Sequence, residues 1–284
     1  MNIRIIVNWI KIMNANLFDI IFIGGKDRVD FLQGQVTQDI EKLDEHKTRN
    51  AAFCNPKGRV VATCQLFQFN ENIGVIVHHT MCEIIIDRLK KYIFRSDVNI
   101  KLSSDTWSSC YKNLDSNEIR KEVTINSNQF IVINDLRKSG VKEIFSNTEK
   151  IEILKNSLRK SEWKAARMTE NLVDISIDHS EKYTPHMLNM DITDGISFQK
   201  GCYVGQEVVA RTEHIGRAKR RVMVYKVDST DIKLDDKLFY NDKDTGAQII
   251  SIEGSIMMAI INISFKEKSL QYDGGNAIPF GVKV

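Results

Sequence analysis

Proline is scarce, three in 284 residues, and no Pro- or Gly-rich stretch cuts the chain. That excludes a disordered linker protein and a collagen-like repeat. Long apolar runs are missing too, and nothing approaches the roughly 18 residues of a membrane span. The nearest candidate, residues 1–25, is interrupted by Arg4, Asn8, Lys11, Asn14 and Asn16. It has no small-residue cleavage site and makes a poor signal peptide. Cysteines are few, odd in number and widely spaced: Cys54, Cys64, Cys82, Cys110 and Cys202. With no Cys-x-x-Cys among them, a disulfide framework and a zinc finger are excluded, and a reducing, cytoplasmic compartment is expected. Charge of one sign is lacking as well. Lys+Arg 40 against Asp+Glu 37 leaves +3, so neither stable nucleic-acid binding nor a membrane partner is expected.

What is present is an ordinary globular composition, 42% hydrophobic and 8% aromatic, on a chain long enough for about two domains or three small ones. Residues 17–23 form an apolar run ending at Gly24-Gly25, a buried strand closed by a turn. Val29, Phe31, Leu32, Val36 and Ile40 fall on helical spacing after Asp27, a candidate N-cap. Residues 59–69 and 72–78 alternate as strands around an Asn70-Glu71-Asn72 turn, and 81–94 has helical spacing. The segment 97–150 is polar and irregular, with strands expected at 121–126 and 129–134. Helices are expected at 147–159 and 162–168. From Arg211 on, short strands separated by Asp/Asn/Gly turns point to a small β-barrel. The expected organisation is α+β. Residues 1–12 read as a leader or misassigned start ahead of Met13, and 13–110 as a first αβ domain. Residues 111–208 make a second αβ domain and 209–284 a C-terminal β-barrel.

The densest unusual chemistry is Phe198-Gln-Lys-Gly-Cys-Tyr-Val-Gly-Gln-Glu-Val-Val-Ala-Arg211. Two glycines four apart flank Cys202, allowing positive φ and a close backbone approach. Lys200 beside the thiol favours the reactive thiolate. The plainer alternative is a turn into a helix with a buried, inert cysteine. Other signatures fail. Gly24-Gly25-Lys26-Asp27 is no phosphate loop, Gly201 and Gly205 make no dinucleotide fingerprint, and no Gly-x-Ser-x-Gly elbow occurs. The six histidines lack metal-ligand spacing, so no resident metal is expected. Arg217, Lys219, Arg220 and Arg221 form a basic cluster, a solvated edge or anion site without interleaved aromatics.

Lys200-Gly-Cys-Tyr-Val-Gly-Gln-Glu207 resembles the signature of the YgfZ family, folate-binding relatives of glycine-cleavage T protein that include mitochondrial iron–sulfur assembly factors. Phe31 to Asp39, Ala51 to Arg59, Arg211 with Gly216, and Gly246 to Phe265 extend the resemblance from about residue 17 to the end. It implies αβ domains in a ring around a central folate-binding channel, with a C-terminal β-barrel. The implied cofactor is tetrahydrofolate or a derivative, flanked by Phe18 and Trp163, whose faces suit a flat pterin. Cys202 and Lys200 become the chemical pair. Tyr203, Gln206, Glu207 and Arg211 hold the loop or the ligand. Where the family has Glu-x-Gly-x-Pro, this chain reads Glu170-Asn-Leu-Val173, and Asn tolerates the left-handed turn.

The implied role is an auxiliary protein for assembly or repair of 4Fe–4S proteins, including tRNA-thiolating enzymes. Its partners would be iron–sulfur client or assembly proteins, and it would act as a monomer. One cysteine is too few to hold a cluster alone. The alternatives are a folate-dependent aminomethyltransferase or demethylase of the T-protein type, or a binding module alone. The T-protein pattern around its folate-binding acids is not reproduced here, which favours an assembly factor over a turnover enzyme.

Overall fold

The structure, a computed structural model, describes residues 17–43, 48–103, 107–112, 131–136, 139–146, 158–216 and 218–280. The expected leader, strand 121–126 and nearly all of helix 147–159 lie outside the described residues.

Three antiparallel sheets organise the chain. The first has the order β2-β3-β4-β1-β5, from β1 (Phe18–Gly24), β2 (Arg49–Cys54), β3 (Val60–Phe69), β4 (Asn72–His78) and β5 (Asn99–Leu102). Strand alternation gives this sheet two faces. Ile21 and Ile23 of β1 and Ala62, Cys64 and Leu66 of β3 pack against helices α1 (Arg28–Gln33) and α2 (Cys82–Lys90). Phe18, Ile20, Phe67 and Ile76 point the other way, toward the second sheet. That sheet has the order β6-β8-β7, from β6 (Trp107–Lys112), β7 (Ile131–Leu136) and β8 (Val141–Ser146). Helix α3 (Lys160–Thr169) follows, then a long irregular segment, then α4 (Gln206–His214).

The third sheet curls into a half-barrel with the order β11-β10-β14-β15-β9-β13-β12. Its central strands are β9 (Arg220–Val227) and β13 (Ile256–Asn262), flanked by β12 (Gln248–Glu253) and β15 (Gly275–Pro279). The short strands β10 (Phe239–Tyr240), β11 (Lys243–Asp244) and β14 (Leu270–Tyr272) complete it. Alternation again makes β9 two-faced: Met223, Tyr225 and Val227 fill the curl, while Val222 and Val224 pack on Ala52, Cys54 and Val60 of the first sheet.

Several elements differ from the sequence expectation. The helical spacing of 27–40 yields only α1, which ends at Gly34; the later apolar residues continue into a 3-10 turn at Ile40–Lys42. Asp27 stands at the N-cap but its side chain caps nothing there, accepting instead from the Asp97 backbone N–H at 2.7 Å. The stretch read as irregular holds β5, β6 and β8, whose short polar-rich strands carry little periodic signal.

Candidate functional site

The segment 170–200 threads between the sheets and is stitched to the first. Thr37 Oγ1 donates to the Gly195 carbonyl at 2.6 Å and accepts from the Ala52 N–H at 2.9 Å. Gln38 Nε2 reaches the Asp194 carbonyl at 2.7 Å, and Asn50 Nδ2 reaches that of Thr193 at 2.9 Å. A small cavity of about 30 Å³ lies beneath this strap. Its floor is the inward face of the first sheet. Register places Asn50, Gln65, Ile76 and Ile20 in one cross-strand row, and the first three line the cavity with Phe18. Arg167 and the turn Asn171–Asp174 close it. Leu172, Val173 and Asp174 also line a larger space of about 280 Å³ that reaches Ile250 and Met258 of the half-barrel. The 170–174 turn therefore stands in the middle of the molecule. Asn171 has φ +62°, the left-handed conformation expected of it.

The cavity rests on a buried charge network. Glu143 is fully enclosed and accepts from Trp163 Nε1 at 2.7 Å and Asn134 Nδ2 at 2.6 Å. Arg167 donates to the same carboxylate and forks onto Asp174 at 2.7 and 2.6 Å. The guanidinium also lies over the Phe18 ring, 4.6 Å from its centroid. Phe18 meets Trp163 at 5.7 Å between centroids. The structure thus brings Phe18 and Trp163 together, but in different layers. Phe18 is in the cavity wall; Trp163 is outside that wall, 5% exposed, with its N–H spent on Glu143. Arg167, Glu143 and Asp174 were not legible as a unit in the sequence, since only the fold juxtaposes positions this far apart. Gln65 and Asn171, 4% and 1% exposed, have no hydrogen-bond partner for either amide atom among the described residues.

The cysteine loop lies elsewhere, docked on the end of α1. Lys200 Nζ donates to the carbonyls of Gln33 at 2.6 Å and Val36 at 2.7 Å, and sits 5.1 Å from the Tyr203 ring centroid. Burial pushes the lysine down to about 8, against the pull of Asp39. The ammonium is spent on carbonyls left open past the helix end rather than on the thiol. The Val204 N–H donates to the Gly34 carbonyl at 3.2 Å. Gly205 has φ +84° and a missing Cβ that would lie 2.4 Å from the Asn55 carbonyl oxygen. Cys202 itself is exposed, whereas the other four cysteines are buried. Tyr203 is buried beneath the loop and does not line the central cavity. Gln206 accepts from the Tyr203 N–H at 3.3 Å, bracing the loop. Glu207 and Arg211 pair with each other at 2.7 Å on the exposed face of α4. None of Tyr203, Gln206, Glu207 and Arg211 joins Phe18 in the cavity wall.

The basic cluster is largely structural. Arg221 forks onto Asp191 at 2.8 and 2.6 Å, and Arg220 donates to the carbonyls of Gly246 and Ile260. Arg217 lies outside the described residues. Asp191 also approaches His186 and Glu213, one ligand atom from each within 4.8 Å of the others. His186 Nε2 is already paired with Glu213 at 3.1 Å. A cation there would meet the Arg221 guanidinium, so the trio reads as an ion-pair joint between the strap, α4 and β9.

Two kinds of likeness bear on this arrangement. A tRNA-modifying protein YgfZ of Blochmanniella pennsylvanica is 30% identical over 248 residues, 79% of this chain and 72% of that protein. The chain belongs to the YgfZ family. A second member, the tRNA-modifying protein YgfZ of Hamiltonella defensa, is 26% identical over 289 residues, 90% of this chain and 84% of its own. In fold, the chain is similar to the glycine cleavage system aminomethyltransferase T of Bartonella henselae. The TM-score is 0.72 with 11% identity, over 93% of this chain and 83% of that one. No protein-family model matches. The chain thus has the T-protein-like architecture that its signature implied. Among the described residues no helix is long and apolar enough to cross a membrane.

Proposed function

We propose that this protein is a folate-binding auxiliary factor for the assembly or repair of 4Fe–4S proteins, with tRNA-modifying enzymes among its clients. The observation that carries the reading is the separation of two sites on one chain. A polar and aromatic cavity sits at the centre, and a lone exposed thiol is held on a braced loop at the surface. The residues fit a tetrahydrofolate. Phe18 offers an aromatic wall for a flat ring system, and the Arg167 guanidinium packed on that ring holds it in place. A bound tetrahydrofolate carries one-carbon units.

Cys202 is the group that meets a client. Its loop is tied down by Lys200 and Gln206, so the thiol is presented at little entropic cost. Exposed Phe198, Val208 and Ile215 on the loop approach and on or just past α4 offer apolar contact to a partner. One thiolate supplies one ligand to iron, so a 4Fe–4S cargo needs the remaining ligands from that partner. The test is a strain lacking the protein, assayed for 4Fe–4S enzyme activity and tRNA methylthiolation. Both should fall, wild-type protein should restore them, and Cys202→Ala should not. Normal levels in the deletion strain sink the proposal. Turnover of an aminomethyl donor by purified protein with tetrahydrofolate replaces it with the transferase alternative.

A further inference from the structure

Just past α2 the chain holds a phenylalanine almost wholly in solvent. Phe94 is 92% exposed, the most exposed large apolar side chain among the described residues, and Tyr92 near it is 41% exposed. The position is braced. The N–H groups of Lys91, Tyr92 and Ile93 donate to the carbonyls of Arg88, Leu89 and Lys90 at 3.1, 2.9 and 3.3 Å, winding the helix end onward. Ile93 and Val98 pack on the core beneath α1 and α2. Asp97 is tied to Asp27 twice, through its N–H at 2.7 Å and its carbonyl at 3.1 Å. Phe94 and Arg95 thus crest a turn anchored on both sides, so a partner has little ordering entropy to overcome there.

The crest is also a patch of unneutralised charge. Residues 88–95 read Arg-Leu-Lys-Lys-Tyr-Ile-Phe-Arg, four cations and no acid. Lys91 and Arg95 are exposed and join no ion pair among the described residues. Lys90 meets only Asp87, at 3.8 Å with both side chains in solvent, an arrangement that neutralises little. Arg88 covers the Tyr92 ring, 5.4 Å from its centroid, and its Nη2 donates to the Cys54 carbonyl at 2.7 Å. That bond sets the patch beside the loop of the exposed thiol. The turn after Cys54 is the wall on which Gly205 packs, and Val208 of α4 lies against Gly58 of the same turn. Lys57, exposed in that turn, is also without an ion pair among the described residues. A single turn therefore links the end of α2 to the Cys202 loop.

We propose that the end of α2, from Arg88 to Arg95, docks an acidic face of the protein partner that Cys202 meets, with Phe94 anchored in an apolar recess of that face. Aromatic and arginine side chains dominate interface energetics, and opposite charge across the interface speeds and orients the encounter. A single-stranded nucleic acid fits less well. It stacks successive bases on successive open rings, and here one face of Tyr92 is already covered by Arg88. The inference rests on the reading of Cys202 as the group that meets a client protein, and it adds where that client is held.

The test uses the full-length protein in a strain lacking it. Phe94→Ser and, separately, the pair Lys91→Glu with Arg95→Glu should each fail to restore 4Fe–4S enzyme activity and tRNA methylthiolation to wild-type levels. Both proteins should melt with wild type and label at Cys202 at the wild-type rate, which a structural role for these side chains would not allow. A photoreactive benzoylphenylalanine in place of Phe94 should crosslink in cells to a 4Fe–4S protein, through a peptide rich in Asp and Glu identified by mass spectrometry. Adding the charge-reversal pair should cut that crosslink by roughly tenfold, the size of a lost hot-spot contact. Full restoration by both variants, with Cys202→Ala still failing, overturns the docking site and leaves the proposed function standing. Lost restoration with a lowered melting temperature in both variants assigns these residues to the fold and overturns it equally. A crosslink to RNA overturns it in favour of a nucleic-acid surface. Normal 4Fe–4S enzyme activity and methylthiolation in the deletion strain remove the proposed function and the docking site together.

Discussion

Cys54 and Cys82 are enclosed, and burial pushes both thiols up to about 12; Cys64 and Cys110 are shifted in the same direction for the same reason. Only the thiolate is nucleophilic, so exposure alone singles out Cys202 in the folded protein. Brief iodoacetamide treatment near pH 8 should therefore add one label to the native chain, at Cys202, and five after denaturation. Lys200 makes a separate test possible. Its bonds to Gln33 and Val36 are charge-assisted, and Lys200→Ala leaves two carbonyls without their donor. That substitution should cost about 1.5–3 kcal/mol and leave the labelling rate of Cys202 nearly unchanged. Slower labelling at unaltered stability would return Lys200 to the role of thiolate partner that its position in the sequence indicated.

The loop between the strap and α4 is a joint, and its glycines are not equivalent. Gly205 combines a φ of +84° with a Cβ position that would clash with the backbone carbonyl of Asn55. Backbone cannot yield as a flexible side chain would, so Gly205→Ala is strained twice, at about 1–3 kcal/mol for the conformation alone. Gly201 has open space around it and no such backbone demand. Gly201→Ala should be neutral, or stabilise by about 0.4–1 kcal/mol through the unfolded chain. Urea melts of the two variants check the contrast, and equal midpoints would refute it. The glycine spacing was visible in the sequence, but which glycine bears the constraint depends on the Asn55–Gly58 turn of another element. The same limit held more widely. Strands β1, β3, β4 and β9 were legible because alternation of Ile, Val and Phe survives in the local sequence. Helix α1 was read too long, since Val36 and Ile40 keep helical spacing while packing from outside the helix. Phe18 and Cys202 were singled out as candidates by motif and family pattern. Gln65, Arg167, Asp174 and Glu143 were not, because a charge or an amide has no periodicity that announces what it will face.

Across the whole molecule, one network ties the three regions to the cavity. Glu143 comes from the second sheet, Arg167 and Trp163 from α3, Phe18 from the first sheet, and Asp174 from the central turn. The half-barrel joins through the larger space that Asp174 also lines. Two carboxylates share one guanidinium, so Arg167 is the member whose loss leaves the most charge uncompensated. Arg167→Met should strand Glu143 in a fully buried place, at about 3–5 kcal/mol. For a chain of this size that lowers the melting temperature by on the order of 10 °C. Adding Glu143→Gln should restore much of the loss. The neutral amide oxygen still accepts from the Trp163 indole, and its nitrogen can donate to a rotated Asn134 amide. Because Arg167 also backs the Phe18 ring, the double variant should regain stability without regaining full tetrahydrofolate affinity. Melting curves and titrations on wild type, single and double variants decide it. A single variant that melts with wild type would mean the network is bridged by solvent and does not hold the centre together. A double variant that recovers both stability and binding would mean the guanidinium supports Phe18 only through the fold.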